Sequence, residues 1–213
     1  MILDIDDTAD TVYGHQQLAL FNAHYDERCF SPIHIYDAET GHCVLTILRP
    51  GKTPDGREVR AHIRRLVHRI RMHWPDTPIT SAADAFRHIG SLRDPIRGDS
   101  HYGRREAMDW CEHNGIRYIF GLAANKTLAE QVFAKLDACC VRRAENKPDA
   151  KGKRENVRDY TETTYGAKSW SRPRRVIARI EVTASRVRLA FAANCPDAEL
   201  IRGLMRSLNP RPT

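Results

Sequence analysis

Two short runs concentrate the candidate chemistry of this 213-residue chain. "ILDIDDTAD", Ile2 to Asp10, ends an apolar stretch in Asp4, Asp6 and Asp7, and "IRGDSHYG", Ile96 to Gly103, sets Asp99 after another. Carboxylates delivered by strand ends are hard oxygen ligands, the kind Mg2+ demands. Two reactions at phosphorus use them. In one, the first Asp of Asp4-x-Asp6-x-Thr8 is the nucleophile and the second the general acid/base, around one Mg2+. In the other, separate acids hold two ions about 3.5–4 Å apart, one for the attacking and one for the leaving oxygen.

The first reaction is that of dehalogenase-type phosphatases, whose DxDxT motif the opening run matches. A phosphatase of that type also needs a late Gly-Asp-x3-Asp and an intervening lysine. The residue four after Asp99 is Gly103, and the only lysine between Asp10 and Asp99 is Lys52, in a turn context. The phosphatase reading is therefore the weaker one. For the second, the two-residue period of a strand puts Asp4 and Asp6 on one face and points Asp7 away.

The elements that must carry these acids read as a mixed α/β layout. Ile2 to Asp6 is a strand, followed by a polar linker. Ile33–Tyr36 and Cys43–Leu48 form a hairpin about the turn Glu39-Thr40-Gly41-His42. From about Asp55 to Trp74 the residues Val59, Ile63, Leu66, Val67, Ile70 and Trp74 recur at helical spacing, and Pro75 stops the helix. Arg57, Arg60, Arg64 and Arg71 occupy its other side, either a solvated face or a DNA-binding one. Pro78–Thr80 starts a strand that Ser81–Pro95 interrupts. Helices are expected over 104–113 and 127–141, with an apolar strand at 116–122 between them. The chain then divides into a core over 1–142, a polar linker over 143–156, β-rich sequence over 157–194, and a short helix and tail over 195–213.

Composition limits the class. Hydrophobic residues at 41% and charged residues at 29% suit a folded soluble chain, and no run approaches the roughly 20 apolar residues of a membrane span. Asp4, Asp6 and Asp7 stand where a signal peptide would be apolar, so a cytoplasmic protein is expected. The net charge of +7 and the excess of arginine over lysine favour a polyanionic partner, because guanidinium binds phosphate through two hydrogen bonds at once. None of the six cysteines forms a CxxC pair, so they read as buried thiols in a reducing compartment. Trp74, Trp110 and Trp170 read as core or interface aromatics.

Three phrases carry a family resemblance: "LDIDDTADTVYGHQQLALFNAHYDERCFSPIHIYD", "LRPGKTPDGREVRAHIRRLVHRIRMHWPDTPI" and "IRGDSHYGRREAMDWCEHNGIRYIFGLAAN". They resemble the catalytic domain of bacterial insertion-sequence DDE transposases, the group named after insertion sequence thirteen-eighty. The likeness continues more loosely through "YTETTYGAKSWSRPRRVIARIE". It implies a ribonuclease-H-like mixed α/β sheet with flanking helices and a β-rich insertion near the C-terminus. It also implies Mg2+ or Mn2+, two ions in an intact site, and DNA as partner (transposon ends and target), with a homodimer as the candidate assembly. A nucleoid-associated location in a bacterial cytoplasm goes with it.

The resemblance picks Asp6 and Asp99 as catalytic metal ligands, leaves Asp4 as a neighbour, and makes His101 a candidate DNA contact beside the arginines. The family's third acid is a Glu in a Tyr-x2-Arg-x3-Glu-x6-Lys pattern, which "CPDAELIRGLMRSLNPRPT" does not contain. Glu199 lies too near the preceding strand and Glu181 belongs to the β-rich part. The family also carries a DNA-end-binding region before the first strand. The expectation is a remnant, shortened at both ends, with little strand transfer of its own.

Overall fold

The structure is a computed structural model that describes residues 1–75, 96–150 and 152–194. The readings for Pro78–Thr80, Ser81–Pro95, Cys195, Glu199 and the 195–213 tail lie outside these residues. The chain opens with β1 (Leu3–Asp7) and then a small sheet of β2 (Asp10–Thr11), β3 (Leu20–Asn22) and β4 (Glu27–Phe30), ordered β2-β4-β3. The expected polar linker is thus a folded element. Its strands are two to four residues long, too short for a hydrophobic period to show, and its turns hold Leu18 and Asp26 at positive φ.

The expected hairpin follows as β5 (Ile33–Asp37) and β6 (Cys43–Ile47), then α1 (Gly56–His73). Asp55 caps α1, its carboxylate accepting from the Arg57 and Glu58 amides at 2.9 Å each. Val59, Ile63, Leu66, Val67 and Ile70 are buried as the period requires. Trp74 is not: it is the C-cap residue, 55% exposed, because the stripe ends one turn earlier at Ile70.

Beyond the undescribed stretch come β7 (Ile96–Gly98), α2 (Arg105–His113) and β8 (Tyr118–Leu122). The single helix expected over 127–141 is two, α3 (Lys126–Gln131) and α4 (Phe133–Glu145), broken at Val132. α4 runs to Glu145, into the expected linker. Three long strands close the described chain: β9 (Val157–Tyr165), β10 (Arg174–Val182) and β11 (Val187–Asn194).

One eight-stranded sheet holds the molecule together, in the order β6-β5-β1-β7-β8-β11-β10-β9. β1 pairs antiparallel with β5 and parallel with β7, and β7 is parallel to β8. The β-rich strands 157–194 are continuous with this sheet, β11 pairing with β8.

Alternation along the strands shows where the helices sit. On β11, Phe191 packs with Leu128 and Val132 of the α3–α4 region, while Ala193, two residues on and so on the same face, joins the cluster under α1 and α2. The four described helices therefore cover one face. Leu3, Ile5, Ile33, Ile35, Tyr118 and Phe120 fill the core beneath α1 and α2. No described helix is long and apolar enough to cross a membrane. Cys29, Cys111 and Cys139 are buried free thiols as expected, whereas Cys43, on strand β6, is exposed.

Candidate functional site

The parallel pairing of β1 with β7 is what brings the two acid runs together. Their register sets Leu3 beside Ile96, Asp4 beside Arg97 and Ile5 beside Gly98. One step further along each strand stand Asp6 and Asp99, at the C-terminal ends of neighbouring parallel strands. Two glycines permit the closeness. A Cβ on Gly98 would meet the Tyr102 ring at 2.8 Å, and one on Gly121 of β8 would meet the Asp99 and Ser100 backbone at 3.0 Å.

After β7 the chain turns sharply. Asp99 Oδ1 accepts the His101 amide at 2.7 Å, and the Asp99 carbonyl accepts the Tyr102 amide at 3.2 Å. The turn folds His101 and Tyr102 back over the end of β1. Tyr102 is fully buried, its ring against Gly98 and its hydroxyl donating to Asp7 Oδ1 at 3.4 Å. His101 Nδ1 lies 3.1 Å from the same Asp7 oxygen and 3.7 Å from Asp99 Oδ2.

Asp7 points away from Asp4 and Asp6 as the strand period predicts, yet the face it takes is the one the returning chain lines. Its side chain is only 7% exposed and joins Asp99 and His101. The strand period explains it: Asp7 shares the Leu3–Ile5 face, and Tyr102 and His101 cover that face where β1 ends. Asp6 lies on the opposite face with Asp4 and is exposed, its Oδ1 accepting the Asp7 amide at 2.9 Å. Asp99 interacts with both neighbours.

Among the described residues, Asp7, Asp99 and His101 form the one trio whose ligand atoms all lie within 4.8 Å of one another. Electrostatics mark the same place. Loss of hydration pushes the Asp6 carboxyl up, helped by the charges of Asp99, Asp7 and Asp4 and opposed by the Asp7 amide. Asp99 is also raised, chiefly by burial and further by Asp7, against the His101 amide and imidazole. Burial and the surrounding carboxylates drive Tyr102 strongly upward, so its hydroxyl keeps its proton and remains a donor. Crowded carboxylates that resist ionisation, beside an imidazole nitrogen, are a donor set that fits a divalent cation of the Mg2+ or Mn2+ kind.

The four arginines are exposed on α1, as expected of that face. They are not gathered round the acids. Arg57 is in the first turn, which abuts Arg104 and Glu106 at the start of α2, whereas Arg71 lies about 21 Å further along the helix axis. Together they make a stripe. His101, the candidate DNA contact, is held against the acid cluster. The sequence clue to its role is its place two residues after Asp99, where an Asx turn reverses the chain. Glu181, set aside at the outset, is ion-paired with Arg158 at 2.8 Å.

Comparison with known proteins now bears on this geometry. No curated protein sequence matches the chain. Among solved structures it is similar to piggyBac transposase, determined in a synaptic complex with hairpin DNA. The two share 9% identity with a TM-score of 0.47, over 92% of this chain and 33% of that one. The chain thus spans about a third of that protein's length. The family model for the transposase DDE domain, group 1, matches residues 1–193. With that match covering nearly all of its length, the chain belongs to the transposase DDE domain group 1 family.

Proposed function

We propose that this chain is a ribonuclease-H-like catalytic domain of a DDE transposase, of the insertion sequence thirteen-eighty group, acting on DNA phosphodiesters. The strand order supports the fold: three antiparallel strands, β6-β5-β1, followed by parallel β7 and β8. The function rests on the register that sets Asp6 and Asp99 side by side at one end of that sheet.

Asp99 would hold the cation, either with Asp6, as the family resemblance implies, or with Asp7 and His101, whose ligand atoms lie within 4.8 Å of it and of each other. When bound, Mg2+ or Mn2+ supplies charge neutralisation at the phosphorus transition state. The chain's own groups do the positioning. The His101 amide orients the Asp99 carboxylate, and Asp7 holds the imidazole of His101, which is 37% exposed and so accessible to substrate. Tyr102 keeps Asp7 in place through a hydroxyl that does not ionise.

The reading assigns two of the family's three acids, Asp6 and Asp99, and we infer that these 213 residues by themselves, without the family's Tyr-x2-Arg-x3-Glu-x6-Lys pattern, join DNA ends poorly. The test is to incubate it with transposon-end DNA and Mg2+ or Mn2+. Binding of the DNA with little joining is expected. Efficient joining that depends on Asp99 would overturn the reduced activity, and absence of both DNA and cation binding would overturn the domain assignment.

A second reading, a non-catalytic DNA-binding module, is favoured by the exposed arginine stripe of α1. Phosphate contacts release counterions, so binding through the stripe falls steeply with salt. Salt-insensitive DNA binding would count against it.

A further inference from the structure

The face of α1 away from the acid site borders a groove of about 870 Å3 that the proposed chemistry does not use. Its floor is apolar: Val44, Leu45 and Ile47 from β6, and Leu66 and Ile70 from α1. Its rim is basic, with Arg65, Arg69, His68 and His73 all exposed and no carboxylate among the lining residues. On the inner wall, His62 Nε2 is buried and has no hydrogen-bond partner among the described residues, with Glu58 at 3.8 Å.

The strand beside this groove is the last of its sheet. Within the described residues β6 pairs with β5 alone, so its other edge presents backbone donors and acceptors. An edge strand running next to a helix, with a groove between, is the arrangement that accepts an extended peptide as an additional strand. The backbone supplies affinity, and alternate side chains enter the groove and give specificity.

We propose that this groove docks an extended, acidic segment of a partner protein, added as a strand to β6. Its apolar side chains enter the floor at alternate positions, and its carboxylates meet Arg65 and Arg69. Charge complementarity selects the occupant, since Arg65 and Arg69 stand on the rim and no carboxylate lies among the described lining residues. DNA matches less well, because the floor has no group to receive a phosphate or to read a base edge. The five residues of β6 offer about 16 Å of edge, so a segment of about five residues fills it. This inference is independent of the transposase reading.

Fluorescence anisotropy on the whole chain tests it. The probe is a capped seven-residue peptide alternating leucine or valine with glutamate. Comparison probes are the same peptide with lysine in place of glutamate, a version N-methylated along one backbone edge, and a duplex oligonucleotide. The acidic peptide is expected to bind at least tenfold more tightly than the lysine or N-methylated peptide. The double substitution Arg65→Glu, Arg69→Glu should reverse the preference between acidic and lysine peptides. Both arginines are exposed, so the circular dichroism spectrum and Tm should hold; Val44→Asp, in the exposed edge, is a second variant expected to abolish binding. Equal binding of both peptides, no binding of the acidic one, or binding only of the duplex in a manner lost with Arg65 and Arg69 would overturn the proposal.

Discussion

Two carboxylate clusters flank α2, and they are built on opposite principles. At its C-terminal half, Asp109 and Glu112 are served by Arg174. Its guanidinium, 2% exposed, donates to both acids, reaching Glu112 at 2.7 Å. Arg172 and the Tyr118 hydroxyl complete the coordination of Glu112. Burial is the largest single effect on each acid and opposes its ionisation. The donated hydrogen bonds nevertheless hold both below their ordinary values: those from Arg174, Tyr118 and Arg172 on Glu112, and from Ser171, Arg174 and Arg105 on Asp109. Before the helix begins, Asp6 and Asp99 are pushed up instead. One cluster is neutralised by the fold; in the other, burial and neighbouring carboxylates oppose ionisation.

Removing the internal cation is the most damaging change. Arg174→Met leaves two acids without their shared partner, one of them buried, and such losses cost about 3–5 kcal/mol. Urea unfolding should register that drop, whereas Asp99→Asn, which deletes a repelling charge, should leave the midpoint unchanged or higher. A large loss from Asp99→Asn would mean that the acid cluster is structural after all.

Next in size is the response to metal. Ligand binding at 100 times its Kd stabilises a protein by about 2.7 kcal/mol. Mn2+ should therefore raise the Tm of the chain by several degrees, and should do so less or not at all in Asp99→Asn and Asp6→Asn. Comparison with Asp7→Asn then decides which end acid of β1 carries the ion. An equal Tm rise in all three variants would place the metal elsewhere.

The smallest effect is in acid. Glu112 and Asp109 have depressed folded-state values, so their stabilisation is complete above their ordinary values of 4.5 and 3.8 and is lost as pH falls through the lower folded ones. Asp6 and Asp99 run the other way. In the window just above 3.8 the folded chain binds more protons, so their unfavourable contribution fades on acidification. Unfolding midpoints from about pH 7 to pH 3 should show a shallower loss below pH 4.5 for Arg174→Met. For Asp99→Asn the small gain just above 3.8 should disappear.

Much of the frame was legible in the sequence because its signals are local. The stripe on α1, the hairpin β5–β6, the strands of 157–194 and the position of Asp99 after β7 all follow from periodicity and turn residues. What escaped depends on contacts distant in sequence. The β2-β4-β3 sheet is made of strands too short to show a period. The continuity of β11 with β8 is a pairing across some 70 residues that no local pattern encodes. The meeting of Asp7 with His101 escaped for the same reason: the strand period gives a face, but only the return of the chain after Asp99 decides which face is lined. Val132 interrupts a helix that the apolar spacing read as continuous, because side chains repeat at helical spacing through α3 and α4 alike.

The register between β1 and β7 has a consequence for how this architecture tolerates change. Asp6 and Asp99 are more than 90 positions apart in the chain, yet their separation is fixed by ladder hydrogen bonds between adjacent strands, not by the path between them. That pairing, and not the length of chain between β1 and β7, sets how far apart the two residues stand. A one-residue slip of β7 against β1 would be damaging, since it would turn Asp99 to the other side of the sheet.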